Sequence, residues 1–321
     1  MFILNSKVQI GDYSFLSINE VEITQSVEEL AETAVIKLPS RFKIRKSEAL
    51  VYTEEAIKPG DKVTITLGYE EKYEGVEFIG YVSKVKPTIP MEIYCEDAMW
   101  LLRRKNINKV FGKTSIKNIL QELVSGTGIL LSDKIPDIPV DKYIIQNANA
   151  AQVLQKLKED YSLTVFIEDG NKLYCGLQQA TNIGETAKYD LNYNLVSNDL
   201  EFKTEDDKRL KIRYTYIDNK NKKKQVEVGD QEGELRTFHT SVVSDEKILK
   251  QMAAAELSKL KYAGFEGNVT SFLIPFATKG MSADIIDKEH PNRTGKYFIK
   301  KVETSFGTSG ARRKVTIGNK L

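Results

Sequence analysis

The sequence predicts an α+β protein, mainly β, with two small antiparallel β-barrel domains and a small α/β domain between them. Three observations carry this expectation. Short runs of alternating apolar and polar residues fill both ends of the chain, the period of strands with one wet face. Between Ser115 and Tyr161 the apolar period lengthens to that of amphipathic helices. The chain has 321 residues, more than one typical core accommodates and suited to two or three domains. The expected division is 1–104 for the first barrel, 105–180 for the α/β domain and 181–321 for the second barrel, which carries one inserted helix at about 244–263.

In the first segment Val8 and Ile10 precede a Gly11-Asp12 turn, and Phe15, Leu16 and Ile18 follow it. Val21 and Ile23 alternate, as do Ala34, Ile36 and Leu38 before Pro39. The charged stretch between Pro39 and Pro59 has weak periodicity and reads as a long barrel loop or a short helix. A loop of that length in a compact domain is often functional. Pro59-Gly60 is a turn signal. After it Val63, Ile65 and Leu67 alternate with Lys62, Thr64 and Thr66, and the pattern repeats at Phe78, Gly80 and Val82 and at Ile93 and Cys95. Nothing in this stretch resembles a reactive centre, so it reads as a scaffold that presents surfaces.

In the middle segment Ile116, Ile119, Leu120, Leu123 and Val124 form one helical stripe. Thr114 or Ser115 can cap its start, and Gly126 and Gly128 can end it. A second helix begins at Asn149, which with Gln152 resembles a capping box, and buries Val153, Leu154, Leu157 and Tyr161. Thr164 to Glu168, the Asp169-Gly170 turn and Lys172 to Gly176 read as a hairpin.

The last segment returns to strands at Leu200 and Phe202, at Leu210, Ile212, Tyr214 and Tyr216, and at Val226 and Val228, with a turn over Asp218 to Lys224. Ser244 is expected to cap a helix carrying Asp245 and Glu246 in its first turn, favourable against the helix dipole. Ile248, Leu249, Met252, Ala253 and Leu257 face inward and Gly264 stops it. Strands resume at Val269 to Ile274, Tyr297 to Val302 and Lys314 to Ile317.

Composition narrows function. Lysine and arginine total 47 against 45 acids, a net charge of +2, without the basic excess of a dedicated nucleic-acid binder. No apolar run approaches a membrane span. The N-terminal MFILNSKVQ has too short an apolar run and no basic leader for a secretory signal, so assembly in the cytoplasm is expected. Cys95 and Cys175 lie in alternating strands and read as buried thiols, although a single long-range disulfide is not deducible from sequence.

Several residues invite chemical readings. Gly112-Lys113-Thr114 matches the tail of a P-loop, but position 107 is Ile and the four residues before Gly112 hold no glycine, so the phosphate-wrapping backbone is missing. His239 and His290 carry no ligand spacing. Asp287, Glu289 and His290 could ligate a metal, but their neighbours read as a solvated turn. No nucleophile elbow or H-E-x-x-H motif occurs. Acid pairs such as Glu96-Asp97 and Asp206-Asp207 would serve a glycosidase only if carboxylates converged across a cleft. The bases from Lys208 to Lys224, including Arg209, Lys211 and Arg213, read as a wet strand face and hairpin tip. Gly307, Gly310, Arg312 and Arg313 read as a flexible basic surface loop. No catalytic, cofactor or metal residue is assigned.

The order of these elements has a second meaning. The PGDKVTITLG strand, the FIGYVSKV strand and the strand ending in Glu96-Asp97 before a Leu- and Arg-bearing segment resemble the first barrel of phage tail hub proteins. These form the late control protein D family, which includes the baseplate hubs of contractile-tailed phages and the hub part of type VI secretion spikes. GKTSIKNILQELVSGTGI paired with QNANAAQVLQKLKEDYSLTVFIEDGNKLYCG extends the resemblance, as do Gly295, Tyr297, Ile299 and Val302 near the end. Tyr161-Ser162-Leu163 stands where the family commonly has glycine. The resemblance covers nearly the whole chain, through motifs of moderate specificity. It implies barrels of tail-tube type and a homotrimer whose six similar barrels form a ring. That ring would join the tail tube protein to a central spike protein, with other baseplate proteins around it. It implies a virion tail baseplate location after assembly in the bacterial host cytoplasm, and neither catalysis nor a cofactor. The rival classes are a cell-wall-degrading hydrolase and a carbohydrate-binding module.

Overall fold

The computed structural model describes residues 3–44, 50–161, 163–176, 186–204, 209–217, 222–240 and 245–321. The first segment contains β1 (Leu4–Ile10), β2 (Tyr13–Phe15), β3 (Glu20–Ser26) and β4 (Thr33–Leu38). The charged stretch after Pro39 becomes a small ribbon, β5 (Arg41–Lys43) with β6 (Leu50–Tyr52), and one helical turn, α1 (Thr53–Ala56). A loop or a short helix was expected there; the helical turn is present and the ribbon was not foreseen. Then come β7 (Lys62–Tyr69), β8 (Tyr73–Lys86), β9 (Met91–Glu96) and α2 (Met99–Arg103). The alternation predicted for this lobe is met: Val8, Ile10, Val21, Ile23, Ile36, Leu38, Val63, Ile65, Leu67 and Ile93 share one core. Gly60 has φ +101, and a Cβ there would stand 3.1 Å from the Trp100 ring. That ring stacks on Tyr81 at 5.3 Å and carries the Arg104 guanidinium at 3.6 Å, so the Pro59-Gly60 turn and the segment after Glu96-Asp97 form one packed unit.

The middle segment runs β10 (Asn106–Phe111), β11 (Thr114–Ser115), α3 (Ile116–Val124), β12 (Leu130–Leu131), β13 (Pro139–Val140), β14 (Tyr143–Asn149), α4 (Ala150–Tyr161), β15 (Thr164–Glu168) and β16 (Lys172–Gly176). Ser115 caps α3, its hydroxyl accepting from the Asn118 amide at 3.4 Å. The capping box at α4 is reciprocal: Gln152 N donates to Asn149 Oδ1 and Asn149 N to Gln152 Oε1, both at 2.9 Å. Asp169 and Gly170 both have positive φ, +49 and +77, as a type I′ turn between β15 and β16 requires. A Cβ on Gly170 would sit 3.0 Å from Ile79, so this turn packs directly on β8 of the first lobe.

The last segment holds β17 (Thr186–Asp190), β18 (Ser197–Asn198), β19 (Glu201–Lys203), β20 (Leu210–Ile217), β21 (Lys223–Gly229), β22 (Glu234–Thr240), α5 (Glu246–Leu260), β23 (Gly264–Ser271), β24 (Ser282–Ile286), β25 (Gly295–Gly307) and β26 (Gly310–Lys320). The cap of α5 is Asp245, whose Oδ1 accepts from Lys247 N at 2.8 Å and Ile248 N at 3.1 Å; Ser244, expected in that role, lies outside the described residues. Leu249, Met252 and Ala253 of α5 point into the core built by α3 and α4, together with Ile212, Tyr214 and Val226. The β20–β22 sheet and α5 therefore contribute to the middle core, while Tyr189, Val269, Ile285, Tyr297, Val302 and Val315 form a separate core around β23–β26.

Among the described residues one 14-stranded sheet runs through both β-rich ends of the chain. Its main path is β18-β23-β26-β25-β3-β4-β9-β8-β7-β1-β2, with β17, β19 and β24 attached beside it, and the path does not return on itself. The two lobes meet at antiparallel β3 and β25, in register from Lys301 opposite Ser26 to Gly307 opposite Glu20.

Candidate functional site

The residues singled out by motif scatter. Gly112 has open space around it, and Thr114-Ser115 forms a two-residue strand leading into the capped helix α3, with no glycine-rich phosphate cradle. His239 is exposed on β22. Asp287 Oδ1 accepts from the amides of Glu289 and His290 at 3.0 and 2.9 Å, which makes it the organiser of a turn. Among the described residues no group of three His, Cys, Asp or Glu side chains is placed to hold a metal ion. Asp206-Asp207 and Lys208 lie outside the described residues. Lys211 and Arg213 both reach Glu227, at 3.4 and 2.6 Å, and Lys222, Lys223 and Lys224 are exposed. Cys95 and Cys175 are free thiols in different cores; burial pushes Cys175 up to about 12 and Cys95 higher still, which favours the protonated thiol at both.

One expectation is overturned. Gly307 and Gly310 do pair across the β25–β26 turn, but Arg313 is not on the surface: its exposure is 0%. It belongs to β26, where Ala311, Arg313, Val315 and Ile317 all fall on the buried face by strand alternation. A buried guanidinium needs a carboxylate and further acceptors. Arg313 has both. Nη2 donates to Glu77 Oε1, and Nη1 donates to the carbonyls of Leu273 and Pro275, the latter at 2.7 Å. The Phe276 ring lies 5.1 Å from it. Tyr73 adds a hydroxyl donor to Glu77 at 2.8 Å; burial, then the Glu77 charge, pushes its pKa well up, which keeps that proton in place.

Glu77 is buried because the β7–β8 ladder slips. Ile65 opposes Phe78 but the next residue, Thr66, opposes Val76, so Glu77 is the extra residue of a bulge. The slip leaves Val76 half exposed and turns Glu77 toward Arg313 in the other lobe.

A second polar cluster stands beside this pair. Glu32, in the turn before β4, pairs through Oε1 with the Lys279 ammonium and accepts from Gln25 Nε2 at 3.0 Å. Lys279 belongs to the segment before β24 and also lies 5.2 Å from the Phe166 ring of β15. Asp97, just after β9, accepts from Glu32 N through Oδ2 and from Met99 N through Oδ1, each at 2.9 Å. Burial, and then the Glu32 carboxylate, push the Asp97 carboxyl up to about 7, against the pull of Lys279 and the two amides. Adjacent Glu96, the last residue of β9, pairs instead with Arg103. The two clusters line a cavity of about 260 Å³ where both β lobes meet the β15–β16 hairpin.

Three of the carboxylates gathered here already have partners: Lys279 and Gln25 hold Glu32, Arg313 and Tyr73 hold Glu77, and two backbone amides hold Asp97. Their present chemistry is clamping. Sequence reasoning named Asp97 and Arg313 without these roles and passed over Glu32, Glu77 and Lys279. The available signal was Glu77 itself, an acid set directly between the apolar Val76 and Phe78.

No protein-family model and no curated protein matches the chain in sequence. Solved structures do match in fold. The 43 kDa tail protein of prophage MuSo2 from Shewanella oneidensis superposes with a TM-score of 0.70 at 13% identity, covering 98% of each chain. A tail protein from Neisseria meningitidis MC58 gives a TM-score of 0.70 at 12% identity, over 99% of this chain and 97% of that one. The E. coli c3393 protein, a component of the type VI secretion system, gives 0.64 at 10% identity over 97% of this chain and 76% of its own. The fold of this chain is that of these tail and secretion-system proteins.

Proposed function

With that fold as premise, we propose that the chain is a structural hub subunit of a phage-like contractile tail or related injection machine. Three copies form a pseudo-six-fold ring that joins a tail tube to a central spike. In this reading the chain divides near residues 104 and 180, and each β lobe serves as a barrel of tail-tube type. Strands β20–β22 and helix α5 of the third segment fold against the middle one.

The observation that carries the reading is the β3–β25 pairing. It sets two sheet-built lobes side by side within one chain, which is the contact a ring of alternating lobes must repeat between chains. A heterologous contact of that kind closes into a ring when its rotation divides a full turn into a whole number of copies. The buried pair of Glu77 and Arg313 holds the angle between the lobes, as a ring of defined diameter needs. The partnered state of Glu32, Glu77 and Asp97 favours this reading over a hydrolase, which needs two carboxylates open to substrate. Partners in this reading are further copies of the chain, the tube and spike proteins and other baseplate proteins, and the location is the tail baseplate.

Light scattering on the chain, alone and mixed with its cognate tube and spike proteins, tests the proposal. A trimer that images as a three-fold ring with a central hole is expected. A chain that stays monomeric at high concentration, both alone and in the mixture, overturns it.

A further inference from the structure

The cavity at the lobe junction contains more negative charge than its own cations answer. Four buried carboxyl groups line it, Glu32, Glu77, Asp97 and Glu168, against one buried cation in the lining, Lys279, and one behind it, Arg313, paired with Glu77. Arg313 is committed to Glu77 and Lys279 to Glu32. Asp97 is held by two amides. Glu168 remains. It is 9% exposed, it lines the cavity, and its Oε1 is buried without a hydrogen-bond partner in the protein. Its direction follows from the strand. In β15, Val165 and Ile167 face the helical core, while Phe166, two residues before Glu168, packs with Val27 and Phe298 on the side of the β lobes. A buried carboxylate left without a donor is costly, so an outside donor has a ready place there.

The cavity's chemistry selects the donor. An anion is repelled by the excess carboxylates. A hard divalent ion asks for about six oxygens, and among the described residues no group of three acid, His or Cys side chains is placed to hold a metal. A volume of about 260 Å³ is below the ~300–1,000 Å³ of ordinary organic-ligand pockets, too small for an oligosaccharide. Aromatic rings of the lining already carry organic cations, Phe166 the Lys279 ammonium inside the cavity and Phe276 the Arg313 guanidinium behind it.

We propose that this cavity is a binding site for one nitrogen cation, an alkylguanidinium or alkylammonium group, with Glu168 as its carboxylate partner. The group can come from a free amine or from an Arg or Lys side chain of a second copy of the chain. The site stands whether or not the chain forms a trimeric ring.

Methylguanidine hydrochloride titrated into the full chain at pH 8, at constant ionic strength, is the test. Backbone NMR shifts and calorimetry should report saturable one-to-one binding, with a dissociation constant in the millimolar range that suits so small a ligand. Perturbed amides should cluster at Glu168, Asp97 and Lys279. Glu168→Gln should weaken binding about tenfold or more, whereas Asp12→Asn, on the exposed turn between β1 and β2, should leave it within about twofold. Self-association of the chain that methylguanidine competes away identifies a side chain of a second copy as the natural donor. Binding without any effect on self-association identifies a free amine. Absence of saturation at about 100 mM, equal binding by Glu168→Gln, perturbed amides elsewhere, or tighter binding of Mg²⁺ than of methylguanidine overturns the proposal. The wild-type NMR map decides the matter by itself if Glu168→Gln does not fold.

Discussion

Two buried ion pairs cross between the β lobes, and they are built on different principles. At Arg313 one guanidinium meets one carboxylate, and two backbone carbonyls and the Tyr73 hydroxyl satisfy much of what remains. At Lys279 one ammonium meets Glu32 with a second acid, Asp97, directly behind it. The first site is balanced in charge, and burial with the Glu77 charge moves the Tyr73 hydroxyl up, away from neutrality. The second carries an excess acid and can exchange part of its attraction for a proton. Equal burial therefore yields a clamp indifferent to pH and a clamp that responds to it.

Removing the balanced clamp should have the largest effect. Arg313→Met leaves Glu77 buried and the Leu273 and Pro275 carbonyls without a donor, and should cost about 3–5 kcal/mol in urea unfolding. Because the bonds to the two carbonyls are lost at any pH, most of that loss should persist at pH 5. A loss that disappears at pH 5 would erase the contrast between the two sites.

Lys279→Met should cost somewhat less, about 2–4 kcal/mol at pH 8, and should recover in part at pH 5, where acid supplies a proton to Asp97. The readout is the ratio of the two losses, and equal pH profiles for both variants would contradict the argument.

Asp97→Asn sharpens the comparison. A carboxyl with a higher pKa in the folded protein than in the unfolded chain binds its proton more tightly when folded. Its stabilising contribution is complete below the ordinary 3.8 and is lost as pH rises to about 7. At low pH, where the wild-type carboxyl is itself protonated and presents one donor and one acceptor, the variant should match its stability within about 1 kcal/mol. It should also lack the part of the decline between those two pH values that Asp97 contributes. Parallel stability curves for variant and wild type across that window would refute this.

The smallest effect concerns the turn that leans on this junction. Gly170→Ala combines a left-handed backbone with a contact at 3.0 Å to Ile79 and should cost about 1–2 kcal/mol. Thermal melts of this variant at pH 5 and pH 8 should shift equally, because no titrating group is involved.

The strands of the first lobe, both helices of the middle segment with their caps, and the Asp169-Gly170 hairpin were legible in the residues alone. Alternation, helical spacing and turn chemistry are local properties, and a single stretch of chain determines them. The mainly β class and the tail-protein fold followed from their order.

The junction was not legible in that way. Arg313 lay in what read as a basic loop because charge suggests surface, yet strand parity placed it inside. Glu77 is buried through a one-residue slip against β7, which depends on a partner strand as well as on its own neighbours. Lys279 and Glu32 are separated by 247 positions and meet because β25 pairs with β3. The packing of α5 against the middle core, and the pairing that makes both lobes one sheet, are likewise contacts between distant segments. Local sequence therefore determined which elements form and which face each one buries. Tertiary structure decided which buried charges answer one another, because Coulomb attraction and desolvation depend on distances in space that no local pattern encodes.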